Sequence, residues 1–460
     1  MAKYVYEIIF QQFKIVEKMR FANKSLSNIL AADQVHHKRA RTIRRKVDFD
    51  DWEDVPAVQR LDVPLEPERV YFGGLLILGR GFRPVQVFQA LLPPCLIRQL
   101  VGSDVAVEDV YRYFGLVVLL HGAFVPTDPV LSGSHVEREV YLTMRRILIE
   151  EHLLADHNVF GWDKFKRLQK QLLIPLQFAR NNLSTHWAGL LTQFGETVAL
   201  DEMMRSYLGN SPHRRFCPNK PEPIGHWTTQ LSTMLEDVNL PFCFGLFPWD
   251  AGSGSIELMT VWKWVQDLLG MNNSRSIVVC DAYYMSQPVL SYLMDNNIKF
   301  LSSVSPQRFK PLTKRLSQKV LTQGDTAVIR CENTDVFMVH HWDLRTSIGR
   351  KFFMTNSFVV KDVTEEVAGP HPIYVAYNHT FSTCDLFNRK LHKFKYPFRR
   401  MSWEANFDSL FVSVLLVNAC SAWHYCNSKS TEKVSMRRFC HILGLELIKN
   451  PNIVIPRRFQ

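Results

Sequence analysis

The sequence predicts a mixed α/β chain: a sheet containing a parallel strand pair, with helical regions before and after it. Three observations carry this. From Glu196 onward, short runs rich in β-branched and aromatic residues replace the three- and four-residue apolar spacing of residues 70–192. Two apolar runs, 277–280 and 299–304, are joined by one helical segment, 287–295, so they should lie parallel and adjacent. After Pro372 the helical spacing returns.

Taken in order, residues 1–30 are expected to form an amphipathic helix, with Ile8, Ile9, Phe13, Ile15 and Val16 clustered by helical spacing. "HHKRARTIRRK" (His36–Lys46) reads either as a nuclear-import or nucleic-acid patch or as a solvated linker. The acidic "DFDDWEDV" that follows can neutralise it. "RPVQVFQALLPPCLIRQLV", "VEDVYRYFGLVVLLHGAF" and "SHVEREVYLTMRRILIEEHLL" are helical, punctuated by Pro93, Pro94, Pro126 and Pro129. "ETVAL" is expected to be a strand that closes on Asp201, and "HWTTQLSTML" and "PFCFGLF" two more strands. "SIELMTVWKWVQDLLG" reads as a helix capped by Ser255 and stopped by Gly270. The strand, helix and strand of 277–304 follow. Between Pro306 and Pro372 a lysine-rich strip and the pieces "AVIRC", "DVFMVHHW" and "KFFMTNSFVV" indicate a β-rich insert. "FSTCDLFNRKLHKF" and "SWEANFDSLFVSVLLVNACSAWHY" close the pattern as helices. The expected divisions are 1–55 (helix and basic/acidic linker), 56–194 (helical region), 195–305 (first part of the sheet), 306–372 (β-rich insert), 373–395 (helix) and 396–460 (C-terminal helical region).

At 460 residues the chain exceeds the usual single-core size, and 46% hydrophobic against 22% charged residues excludes a largely disordered protein. A net charge of +11 fits a polyanionic partner, and equally a basic protein without one. The nine cysteines include no C-x-x-C pair, which suits free thiols in a reducing compartment. Cys420, Cys426 and Cys440, with His424 and His441, lack zinc-ligand spacing, so packing is expected there and no zinc site. The N-terminus has no uninterrupted apolar core, and the stretches at 116–120 and 410–423 read as too short or too interrupted to span a bilayer. A soluble intracellular protein with no membrane partner is expected.

Two apolar strands thus stop on carboxylates, Asp201 and Asp281, and Asp385 falls in what reads as the first turn of a helix, with Ser382 or Thr383 as cap. Ligands of open sheets collect beyond the carboxyl ends of strands. Three converging carboxylates repel unless a cation neutralises them, and hard oxygen ligands select Mg²⁺ or Mn²⁺. A pair of such ions suits phosphoryl transfer. The competing reading gives Asp385 a capping role and the other two turn roles.

Five segments in order carry a family resemblance: "VALDEMM", "CPNKPEPIGH", "VVCDAYYMSQPVLSYLMDNNIKFLSSVSPQR", "HHWDLR" with "FFMTNSF", and "YNHTFSTCDLFNRKL" leading into "SWEANFDSLFVSVLLVNACSAWHY". Over residues 195–425 the chain resembles the piggyBac-type transposases, whose core is an RNase H-like fold with three aspartates. The resemblance implies that Asp201, Asp281 and Asp385 form the catalytic, metal-binding triad, holding two Mg²⁺ or Mn²⁺ ions. Asn388 stands where the family often has a further acidic residue, and would be an additional ligand. Water activated between the metals would cleave a phosphodiester, and the freed 3′ hydroxyl would attack the target strand. Double-stranded DNA, a homodimer and a nuclear location are implied, with 56–194 as the helical dimerisation or DNA-binding region and 195–305 with 373–395 as the core. Lys220, Arg308, Lys390, Lys393, Lys395, Arg399 and Arg400 would contact phosphates, or else form a solvated face. Tyr283 and Tyr284 would pack to fix the Asp281 loop, with base stacking the alternative. The sequence departs from the family at Asn210 after Gly209, at "STC" before Asp385 where a glycine pair is usual, and at "VS" after the last core strand. None of the 460 residues forms the family's cysteine-rich zinc-binding tail. The second reading is therefore a domesticated or decayed derivative that binds DNA or protein without cutting. A phosphatase or nuclease on a similar carboxylate core ranks third.

Overall fold

One ten-stranded sheet organises the computed structural model. Residues 81–449 are described, apart from 102–104, 124–133, 219, 221, 236–237, 250–257, 272–274, 320–325, 333, 343–349, 358, 363–371, 394–401 and 429–433; upstream, 52–54, 59–62, 75–76 and 78 are described. The expected helix at 1–30, the basic run at 36–46 and the Ser255 cap lie outside the described residues.

The strands are β1 (Trp52–Asp54), β2 (Gln59–Asp62), β3 (Leu75–Leu76), β4 (Leu191–Gln193), β5 (Thr197–Ser206), β6 (Arg214–Phe216), β7 (Ile224–Leu235), β8 (Leu240–Pro248), β9 (Ile277–Cys280), β10 (Phe300–Ser303), β11 (Thr326–Cys331), β12 (Phe337–Trp342), β13 (Arg350–Thr355) and β14 (Val359–Asp362). The sheet runs β1-β11-β12-β13-β10-β9-β5-β7, and β6 and β8 share the far edge of β7. Both pairs made by β9, with β5 and with β10, are parallel. The other pairings in the sheet are antiparallel. The expected parallel neighbours at 277–280 and 300–303 are thus present, in an RNase H-like α/β arrangement.

The side-chain period of two explains why β9 and β10 read as unbroken apolar runs. Ile277, Val279 and Leu301 face the helix Pro372–Lys393 through Ile373, Ala376 and Tyr377. Val278, Cys280 and Phe300 belong to the larger core with Trp262, Val289 and Leu293, from the helices Leu258–Gly270 and Gln287–Asp295. Both faces are covered, as a parallel segment requires. The 306–372 segment extends this sheet through the antiparallel β10–β13 pair, so the edge of β10 is not left as an open template.

The helix Trp403–Cys426 runs through the core, apolar on all sides. At 24 residues it is long and apolar enough to cross a membrane, which corrects the reading of 410–423 as too short; 94% of that apolar window is buried inside the protein. Asn418 anchors it. Beside the β7–β8 register shift, its side chain accepts from Cys243 N at 2.9 Å and donates to Cys243 O at 2.7 Å, tying the helix to the strand backbone there. The helices Val107–Ala123 and Met436–Lys449 cross closely at Gly115 and Gly444: a Cβ on Gly115 would meet Gly444 O at 2.9 Å.

Candidate metal centre

β9 is short, and that shapes the site. Its pairing with β5 ends at Leu200–Cys280, while β5 continues to Ser206 against β7 alone, from Asp201↔Gln230 to Ser206↔Gly225. Asp201 therefore does not close its strand, contrary to the sequence expectation; only its neighbour on one side stops. The notch beyond Cys280 is bounded by β5 and by the turn that carries Asp281. Adjacent strand residues normally point to opposite faces. Beyond the end of β9, Asp201 and Glu202 nevertheless both bring a carboxylate oxygen beside Asp281. One carboxylate oxygen from each of Asp201, Glu202 and Asp281 lies within 4.8 Å of the other two.

The turn fixes its own carboxylate. Tyr283 N donates to Asp281 Oδ1 at 2.8 Å, Tyr284 N to Asp281 O at 3.2 Å, and Ser302 Oγ to Asp281 O at 3.3 Å. Tyr284 is fully buried, its hydroxyl 3.1 Å from Thr229 Oγ1 and its carbonyl accepting from Trp262 Nε1 at 2.9 Å. Tyr283 packs its ring 5.3 Å from that of Trp227. Both tyrosines pack, as one of the two sequence readings held.

The electrostatics are costly without a cation. Asp201 is 5% and Glu202 6% exposed. Burial, then the Glu202 charge, pushes the Asp201 carboxyl well above the usual range. The same two causes push Asp281 up to about 6. Lys220 relieves part of this: its Nζ lies 2.5 Å from Glu202 Oε1. Burial works to lower the Lys220 ammonium, but Glu202, Asp201 and Asp281 outweigh it and the pKa is raised. Glu202 Oε2 and Gln230 Oε1 remain buried without a hydrogen-bond donor. Converging hard oxygens with unserved acceptors fit an oxygen-ligated divalent cation.

Asp385 stands differently. It lies well inside the helix Pro372–Lys393, not in a first turn, so the capping role by Ser382 or Thr383 is corrected. Ile373, Ala376, Tyr377, Thr380, Thr383, Cys384, Phe387 and Leu391 are buried at helical spacing, and that burial extends the helix backward through "YNHTFST". Cys384 Sγ donates to Ala199 O at 3.6 Å, which sets the helix against β5. Asp385 itself is exposed and is not a member of the carboxylate cluster. Asn388, one turn on, reaches the cluster's framework instead: Gln230 Nε2 donates to its Oδ1 at 3.1 Å, and its Nδ2 lies 3.5 Å from Glu202 O.

The structure thus joins Asp201 and Asp281, adds Glu202, which the sequence reading passed over, and sets Asp385 on the adjoining helix. Among the basic residues, Lys220 belongs to the cluster and Arg308 holds carbonyls of the Asp281 turn. Lys390 is half-buried and Lys393 exposed on the last turn of the Pro372–Lys393 helix. Lys395, Arg399 and Arg400 lie outside the described residues. Cys420, Cys426 and Cys440 are buried free thiols, and His424 bonds to Val434 O at 3.0 Å.

The profile of the family described as Transposase IS4 matches residues 190–420. None of the curated proteins matches the chain. Among solved structures, the fold is similar to that of piggyBac transposase in its synaptic complex with hairpin DNA. The TM-score is 0.61 at 15% identity, over 84% of this chain and 86% of that one.

Proposed function

The chain belongs to the Transposase IS4 family, and from that premise we propose that it is a metal-dependent DNA transposase of the piggyBac type, cutting phosphodiester bonds and transferring strands. The observation that carries this reading is the gathering of Asp201, Glu202 and Asp281 oxygens within 4.8 Å, in the notch where β9 ends. Divalent ions are implied by the family, and when bound they supply Lewis acidity toward the phosphate and a nucleophile at neutral pH.

Asp201, Glu202 and Asp281 would hold the ions, with Asp385 as the carboxylate supplied from the helix. Lys220 would then be freed from Glu202, leaving an ammonium beside the site for the phosphate charge. Asn388 orients the cluster through Gln230 and the Glu202 carbonyl without adding charge. Lys390 and Lys393 extend a basic surface along the same helix toward the DNA backbone. The reading includes double-stranded DNA as substrate and a homodimer, since two element ends need two active sites. It includes a nuclear location, for which His36–Lys46 is the import candidate.

Incubating the purified protein with Mn²⁺ and supercoiled DNA tests it: nicking is expected, lost in Asp281→Asn. The second reading, a derivative that binds DNA without cutting, is favoured by Asn388 at an acidic position and by Asp385 standing outside the cluster. Salt-dependent DNA binding with no metal-dependent nicking would select it.

A further inference from the structure

Arg308 lies between β10 and the helix Lys310–Ser317, with its amide donating to Ser305 O at 3.1 Å. Its Nη1 is 2.7 Å from Ala282 O, 2.8 Å from Tyr283 O and 2.7 Å from Met285 O. These carbonyls belong to the turn that leaves β9 and carries Asp281. Carbonyl oxygens turned toward one point oppose one another, because each is the negative end of a peptide dipole. A positive donor at that point removes the conflict, and one guanidinium nitrogen shares its hydrogens among all three. The one remaining carbonyl of the segment, that of Tyr284, is taken by Trp262 Nε1. Every peptide from 282 to 285 is therefore fixed through its oxygen, and the Tyr283 N–H that grips Asp281 Oδ1 is fixed with them.

We infer that Arg308 is a positioning residue of the metal centre: it locks the 282–285 peptides so that the Asp281 carboxylate is preset toward Asp201 and Glu202. This rests on the reading of that cluster as a metal centre. This is a task other than the phosphate contact expected from the sequence, since Nη1 is already shared among three carbonyls. Groups that orient metal ligands act on affinity at a distance, typically by about 10- to 100-fold when removed.

The test compares wild type, Arg308→Lys and Arg308→Ala for Mn²⁺ binding by calorimetry without DNA, and for DNA binding across a salt series. Arg308→Ala is expected to bind Mn²⁺ more weakly by roughly that factor, with added ethylguanidinium restoring affinity. Arg308→Lys, which keeps a positive donor and guards against misfolding of the alanine variant, is expected to fall between the two. The salt slope of DNA binding should be unchanged. Undiminished Mn²⁺ affinity in Arg308→Ala, with a salt slope lower by about one, would overturn the positioning role and restore the phosphate contact. Wild-type protein that binds no Mn²⁺ would instead overturn the metal-centre reading itself, and the positioning role with it.

Discussion

Replacing Asp281 by asparagine should stabilise the metal-free protein, and the pH dependence of that gain reports on the site. The Asp281 carboxyl is pushed up to about 6 by burial and by Glu202, against about 3.9 in an unfolded chain. Between those values the folded state holds a proton that the unfolded state has lost. The contribution of this group to stability is therefore best below about pH 4, declines as pH rises toward 6, and stays unfavourable above it. At pH 7.5 the cost of keeping this charge is about 3 kcal/mol. The asparagine keeps an acceptor for Tyr283 N and removes the charge, so metal-free Asp281→Asn should exceed wild type by about 1–3 kcal/mol at pH 7.5. The advantage should vanish near pH 4. Saturating Mn²⁺ should reverse the order, because only wild type gains binding energy on folding. Unfolding monitored at pH 4.5, 6 and 7.5, with and without Mn²⁺, checks both halves. A variant less stable than wild type without metal at pH 7.5, or one that keeps the full Mn²⁺ stabilisation, would refute the electrostatic account.

Three further outcomes are expected. Lys220→Met leaves Glu202 buried without its 2.5 Å partner; denaturant unfolding should show a loss of roughly 3 kcal/mol at neutral pH, partly recovered by Mn²⁺. Asn418→Ala strips both backbone partners from Cys243. It should cost about 2–4 kcal/mol and leave Mn²⁺ affinity as in wild type, as calorimetry would read. Asp385→Ala changes an exposed side chain, so stability should stay within about 0.5 kcal/mol and Mn²⁺ binding without DNA should change little. Nicking should nevertheless be abolished, and retained nicking would remove Asp385 from the site.

What the sequence revealed, and what it hid, follows from which forces act locally. β9 and Asp281 were legible because a four-residue run buried on both faces can only be apolar, and the next residue is free to be charged. The parallel β9–β10 pair followed from the single helix between them. The extent of β5 did not: its last residues are held by β7, whose own run begins far along the chain, and no local signal within β5 announces that its pairing with β9 ends at Leu200. Glu202 was hidden for the same reason. Alternation assigns it to the face opposite Asp201, whereas beyond the end of β9 an oxygen of each lies within 4.8 Å of the other. The helix around Asp385 was read too short because Thr380, Ser382 and Thr383 favour caps locally, while burial of Thr380 and Thr383 against the sheet overrides that preference. Lys220 and Arg308 looked like surface cations; their acceptors lie 18 and about 25 residues back in the chain.

The balance of charge, more than the geometry, separates a cutting enzyme from a silent descendant here. The sheet register and the turn after β9 bring three carboxylates together, and two of them are held above their ordinary range. Lys220 offsets one charge through Glu202 Oε1, and Glu202 Oε2 is left without a donor, open to a divalent ion. At Asn388 an aspartate would add a negative group beside the Glu202 carbonyl; the amide donates there instead and leaves the helix with Asp385 as its nearest carboxylate to offer. On the proposed reading, a first ion would find its ligands on β5 and the β9 turn, whereas a second would depend on Asp385 being drawn in from its helix. On that reading, metal binding without DNA and cleavage with it would therefore be separable, resting on different elements. A protein that had lost the second function would still show the first.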